Sequence, residues 1–470
     1  MTARHYTLAA TALGSSLAFI DASAVIVALP TMQKALHLGL AGEQWVFLAY
    51  SLALASLYLV GGALGDRFGH QKVFRYGVLG FALASALAGL APNGAMLILA
   101  RVLQGVSGAF VTTNSLAWLR SVYQDQAGKA VGLWTSLTGV STIIAPPLGG
   151  VLTQYLNWRW IFYINLPLAA LVIFWSTRAG ADKPDPAHAR PLDPLGAGLI
   201  AAGLGFLTYF LVQGAKTGFS PLWWSLLIGG VGLIGFLIVE KRLAEPMLPL
   251  KLFKIRNFAV ANLQTVLIYG ALNGLFVYFT LYLQFLGLSP LASSLFLIPT
   301  SIVLILLASY FGGLADRQGP RKLLIAGPAL IGLGSLIFTT IHSRPEVWLR
   351  GSIGVVFFSV GLAMLVAPIT AAALKAVPSN FAGIASGVNN SASRIGGLIA
   401  VAVIGLIISV IFFNVPGGRG AVPLDVHQQD PALRRASERG FRVGTYIVAG
   451  LAFGSAVVAG LGFKNERLKK

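Results

Sequence analysis

The chain has 470 residues, of which 56% are apolar and only 10% charged, with a mean hydropathy of +0.78. Soluble globular proteins carry roughly 25% charged residues, so a water-soluble enzyme and a disordered chain are both excluded. The chain has no cysteine, and its six histidines (His5, His37, His70, His188, His342, His427) fall in or beside polar segments. Thiolate chemistry and disulfides are therefore absent, the apolar stretches offer no imidazole to a metal or haem, and no cofactor is expected. Lys and Arg number 34 against 15 Asp and Glu. No basic run is interleaved with stacking aromatics, so the excess reads as the positive-inside bias of a membrane protein and not as a nucleic-acid surface.

A helix crosses the hydrocarbon core with about 20 apolar residues. In chain order such stretches predict six spans at 7–29, 44–64, 73–92, 95–116, 131–153 and 159–177, then a pair at 195–213 and 221–240. Six more follow at 257–286, 291–314, 322–341, 348–368, 382–412 and 443–463. Arg4 and Ala22-Ser23-Ala24 imitate a signal peptide, but Asp21 and the continuation to Pro30 argue for a retained first span. Fourteen crossings put both termini on one side, and the Lys/Arg bias assigns that side to the cytoplasm. Residues 179–194 read as a Pro-rich cytoplasmic linker and 241–256 as a basic one, while 413–442 reads as a long outer loop.

A repeat divides the chain. GALGDRFGHQKV (62–73) returns as GGLADRQGPRKL (312–323), matching at Gly62/Gly312, Asp66/Asp316, Arg67/Arg317, Gly69/Gly319 and Lys72/Lys322. Each copy follows the second span of a six-span half. The expected fold is all-α and polytopic: an N-terminal six-helix bundle (1–178), an inserted helix pair (195–240) and a C-terminal six-helix bundle (257–470). Parallel repeats of this kind build transporters whose substrate path lies between the halves.

Asp21 is the one acid well inside a span. A carboxylate in hydrocarbon is costly, so it is expected to face a cavity and to have a partner. Arg101, in the fourth span, lies at a similar depth, about 10 Å against about 13 Å for Asp21 at 1.5 Å per residue. Arg101 and Gln104 open a polar stripe on one helix face. Further stripes in spans nine and thirteen hold Tyr269, Asn273 and Phe276, then Asn389, Asn390 and Arg394. With Trp134 they are candidate substrate-wall residues, although interhelical hydrogen bonding explains any single one. Asp66, Arg67 and Gly69, with Asp316 and Arg317, are placed to tie helix ends as a gate. Gly139, Pro146, Pro147, Gly149 and Gly150 mark a stiffened or hinged fifth span.

These motifs resemble those of the major facilitator superfamily, specifically its fourteen-span drug:proton antiporter family. FIDASAVIVALP (19–30) is similar to that family's first-span signature, with Ser23 for Thr and Ile26 for Asn. Residues 62–72 match its motif A, with His70 and Gln71 replacing a basic pair. Arg101, Gln104 and Gly105 match motif B, assigned in the family to proton coupling. GVSTIIAPPLGG (139–150) matches the antiporter motif, with Ala145 for glycine, and NWRWIFYINLP (157–167) matches a further conserved segment.

The resemblance implies a multi-pass protein of the cell membrane that is no enzyme and exports hydrophobic, often cationic, drugs against protons by alternating access. Protons, small amphipathic substrates and lipids are its expected partners, and it is expected to be a monomer. The alternative is a transporter dedicated to one metabolite, lipid or siderophore, which Arg394 favours for an anionic substrate. A nontransporting sensor would tolerate loss of Asp21.

Overall fold

The structure, a computed structural model, describes residues 2–182, 193–243, 246, 248–378 and 381–464. The centre of the linker expected at 179–194, and Ala244, Glu245 and Met247 of the second linker, lie outside the described residues. Among the described residues fourteen helices are long and apolar enough to cross a membrane. The first six are α1 (Ala3–Ala35), α2 (Leu40–Phe68), α3 (His70–Leu90), α4 (Gly94–Tyr123), α5 (Ala127–Val151) and α6 (Asn165–Arg178), which with the turn before it makes the span Trp160–Arg178. The inserted pair is α7 (Pro194–Thr217) and α8 (Trp223–Arg242). The last six are α9 (Arg256–Phe285), α10 (Pro290–Gln318), α11 (Arg321–Phe338), α12 (Ser352–Lys375), α13 (Ala382–Phe413) and α14 (Pro431–Gly462).

Local chemistry sets several of these boundaries. Asp193, Ser289 and Asp430 each precede a proline and accept a hydrogen bond from a backbone N–H of the first turn of α7, α10 and α14. A short polar cap followed by proline, which lacks an N–H to lose, is a strong helix start. Gly69 and Gly319, equivalent in the repeat, turn α2 into α3 and α10 into α11 with φ of 92° and 83°, a region that side chains resist.

Most helices overrun the expected spans, because hydropathy registers the hydrocarbon crossing and not the polar turns beyond it. The largest correction is at 413–442, expected as loop. There α14 begins at Pro431, twelve residues early, in a charged segment where Arg434 lies 3.7 Å from Glu438 one turn on and 4.8 Å over the Phe285 ring.

The two halves pack alike. In the first, α1 lies against α5 and α6, and α4 against α2 and α3; in the second, α9 lies against α13 and α14, and α12 against α10 and α11. The halves meet along two related seams, α2 with α13 and α5 with α10. The inserted pair lies over the first seam only, with α7 touching both α2 and α13.

The start of α1 and the end of α14 lie on one face after fourteen crossings, where Gly180 donates to the Ala3 carbonyl and Arg256 to that of Gly462. Towards the opposite face the halves are tied together. Gln44 donates to the Tyr278 hydroxyl (3.0 Å) and Gln284 to the Val27 carbonyl (2.9 Å). At the other seam, a Cβ on Gly150 would stand 2.8 Å from Leu291 Cα and 3.1 Å from the Pro290 carbonyl, so backbones touch there.

Gly150→Val should push α10 away and open this face, since overpacking costs about 1–3 kcal/mol. The chain has no native cysteine, so a lone reporter at Ser301→Cys can be followed. Its labelling by an impermeant maleimide from the face opposite the termini should rise about tenfold; unchanged labelling of folded protein would refute the seal.

Candidate functional site

The deepest polar cluster lies inside the first half. Asp21 on α1 and Arg101 on α4 are both 0% exposed and form an ion pair between the Oδ2 and Nη1 atoms. Gln104, one turn along α4, donates from Nε2 to Asp21 Oδ1 (3.0 Å) and to the Ser85 hydroxyl of α3 (2.8 Å). Its own carbonyl accepts from Arg101 Nη1 (2.8 Å). Asn165, at the start of α6, donates to Asp21 Oδ1 at 3.2 Å and to Ser85 at 3.3 Å. Arg101 Nε donates to the Val46 carbonyl (3.0 Å), and the guanidinium lies 4.5 Å over the Tyr50 ring. Every helix of the half except α5 thus contributes to holding one carboxylate.

Two buried atoms of the cluster, Arg101 Nη2 and Asn165 Oδ1, have no hydrogen-bond partner. Such groups carry a desolvation penalty in the resting arrangement. Among the described residues no group of three His, Asp or Glu side chains could hold a metal.

Asp21 was expected to face a cavity, and the structure corrects this. The carboxylate points into the bundle, while its neighbours Ala22, Ser23 and Ile26 line a cavity of about 210 Å³ between the halves. The cavity is framed by α1, α2 and α5 from the first half and α9, α10 and α13 from the second. Its first-half wall is largely apolar, with Phe19, Ile26, Val27 and Phe47. The second half brings Asn273, Thr280, Ser294, Ser301 and Arg394, with Phe276 among them.

Of the expected wall residues, Asn273, Phe276 and Arg394 therefore line the cavity, and the others do not. Trp134 donates to the Ser115 hydroxyl (3.0 Å) within the first half. Asn389 is buried against α9, donating to Thr265 (2.8 Å). Asn390, its neighbour, is exposed and bonds the Ser386 carbonyl of its own helix. Tyr269 is half-buried and packs against the core.

The antiporter-motif residues divide between wall and seams. Pro146 lines the cavity. Gly149 sits against α1, where a Cβ would lie 2.7 Å from Ala24 Cα, Gly150 forms the seam described above, and Gly139 has open space around it.

The motif A acids find partners in their own halves. Asp66 Oδ1 lies 3.5 Å from His70 Nε2, and Asp316 pairs with Lys375 at the end of α12 (2.7 Å). Arg67 and Arg317 are exposed. His70 Nδ1 is 2.9 Å from Asn114 Oδ1, and the His70 N–H donates to the Asp182 carboxylate. Gln71 donates to the Ser176 carbonyl (3.1 Å). The two departures from the motif are thus used to join α2, α3, α4 and the end of α6.

The sequence profile described as Major Facilitator Superfamily matches residues 11–401. The chain belongs to the Major Facilitator Superfamily. Relatives include the multidrug resistance protein Stp of Mycobacterium tuberculosis, 33% identical over 86% of this chain and 75% of Stp. The tetracenomycin C resistance and export protein of Streptomyces glaucescens is 32% identical over 86% and 76%. The puromycin resistance protein pur8 of Streptomyces alboniger is 31% identical over 94% and 88%. Among solved structures, an inward-facing bacterial homologue of the lysosomal transporter Spinster superposes with a TM-score of 0.67 at 17% identity, covering 98% and 97% of the two chains. That likeness shows the fold. This major facilitator protein is therefore a multi-pass membrane transporter and not an enzyme.

Sequence reasoning quoted Asn165 within a motif but gave it no role, and passed over Ser85. The signal for Asn165 was present, since an amide between Ile164 and Leu166 requires a partner in hydrocarbon. In this major facilitator chain, Arg101→Met should destabilise the protein by about 3–5 kcal/mol, because it strands a buried charge. Adding Asp21→Asn removes the stranded charge and should recover much of the loss, as read by thermal denaturation in detergent. Equal losses in the single and double variants would show that the two charges are not coupled.

Proposed function

We propose that this transporter exports small amphipathic drugs across the cell membrane in exchange for protons. The observation that carries the reading is the placement of Asp21 and the cavity wall on consecutive residues of α1. A proton on Asp21 abolishes its charge, weakens its hold on Arg101 and leaves the guanidinium uncompensated, so α1 and α4 gain a reason to move. Because Ala22, Ser23 and Ile26 form the wall, any shift or rotation of α1 reshapes the cavity. Proton and substrate then influence each other reciprocally, as linkage requires.

The resistance and export names of several relatives support drug efflux. With the termini in the cytoplasm, the tied face is the outer one and the arrangement is outward-closed. Asp66, Arg67, Gly69, Asp316 and Arg317 would act at the cytoplasmic ends as the halves approach. The chain would work as a monomer among lipids. A second reading, a transporter dedicated to one metabolite, lipid or siderophore, is supported by the cationic wall at Arg394.

The test is Asp21→Asn in proteoliposomes. The variant keeps the side-chain shape and should still bind substrate, while losing accumulation driven by a pH difference alone. If it still concentrates substrate under that gradient, Asp21 is not the coupling site.

A further inference from the structure

The polar groups of the central cavity are distributed unevenly, and its charge is of one sign. Arg394, half-buried on α13, is the one charged residue among those that line the cavity, and none of the lining residues is acidic. Arg394 forms no ion pair with any described carboxylate. The intramembrane acid in the opposing half, Asp21, is fully buried and already engaged by Arg101, Gln104 and Asn165. Arg394 is therefore a cation with no carboxylate partner among the described residues, on the same cavity wall as Asn273, which donates one amide N–H to the Tyr269 carbonyl of its own helix (2.9 Å).

Across the cavity the first-half wall is largely apolar, its hydroxyls being those of Ser23 and Ser51, with Phe19, Phe47 and Ile26 where an aromatic or aliphatic body would rest. Its size, about 210 Å³, suits one small ring system with a short tail. A charged residue in the membrane interior needs a partner, and a guanidinium pairs with a carboxylate through charge-assisted hydrogen bonds.

We propose that Arg394 is the specificity-determining residue of this cavity and that it selects amphipathic monoanions, with the acid group on Arg394 and the apolar body against Phe19, Phe47 and Ile26. The inference rests on the cavity being the substrate site of the transport reading above, and it replaces the expected preference for cationic drugs. A lipophilic cation meets only like charge here, while a neutral analogue forgoes the charge-assisted bond.

The experiment is equilibrium binding to the purified full-length protein in detergent at pH 7.5, with no gradient. Three probes share one phenylalkyl body and end in a carboxylate, a carboxamide or a trimethylammonium group. The carboxylate should bind on the order of tenfold to a hundredfold more tightly than the amide, the worth of a hydrogen bond to a charged group, and the ammonium most weakly. Arg394→Gln should bring the carboxylate down to the level of the amide while amide binding persists, which also shows that the cavity is intact. Arg394→Lys should restore part of the preference. Ammonium binding as tight as carboxylate binding in the wild type, or a carboxylate preference that survives Arg394→Gln, overturns the proposal. Should Arg394→Gln fail to fold, the probe order in the wild type and in Arg394→Lys decides alone. Because no proton gradient enters, failure of proton coupling in Asp21→Asn is a separate result and leaves this one standing.

Discussion

A carboxylate and a guanidinium with no exposure at all, inside a bundle meant for hydrocarbon, are tolerable only together. Each alone would carry a penalty of several kcal/mol, and their attraction offsets it only if the remaining donors and acceptors are also met. That requirement organises the first half. Ser85, Gln104, Asn165 and the Val46 carbonyl converge from α3, α4, α6 and α2 because the pair on α1 and α4 demands them. The result is a bundle in which five helices are tied together through one buried ion pair and the polar groups around it.

The second half has the same helix packing and, among its described residues, no buried ion pair. Its interior includes stacked rings, with Phe279 4.3 Å from Phe338 and Tyr282 3.8 Å from Phe441. Such ring pairs contribute about 0.5–1.5 kcal/mol each beyond the area they bury. One half thus carries the buried ion pair, and the other presents Arg394 to the cavity. Repeats that pack alike have come to hold different chemistry.

The span count, the repeat and the partnership of Asp21, Arg101 and Gln104 were legible in the sequence, because a charge within an apolar stretch leaves few physical options. The orientation of polar stripes was not. Asn389 and Asn390 are adjacent, and about 100° of helix rotation sends one into the α9 contact and leaves the other exposed. Which of the two is turned into the bundle depends on how α13 is rotated against its neighbours, and periodicity within one helix carries no information on that. Asp21 shows the same gap: its need for a partner followed from its chemistry, whereas the direction of its side chain, away from the cavity, depended on where α4 and α6 lay. The early start of α14 was hidden for another reason, since Arg434, Arg435 and Arg439 are helical but project beyond the hydrocarbon that hydropathy detects.

The inserted pair breaks the two-fold likeness of the halves in a way that bears on their motion. α7 is laid across the α2 and α13 seam, and the matching seam of α5 and α10 has no such cover. Two otherwise equivalent joints then differ in how much helix packs over them, and any rocking of the halves would meet more packing at the covered edge than at the bare one. The bare edge is also the one where Gly150 brings the α5 backbone against Leu291 and Pro290 of α10, with the Ser294 hydroxyl beside it and Gln154 accepting from the Leu291 N–H, so close backbone approach and a polar tie fasten the joint that has no helix laid over it.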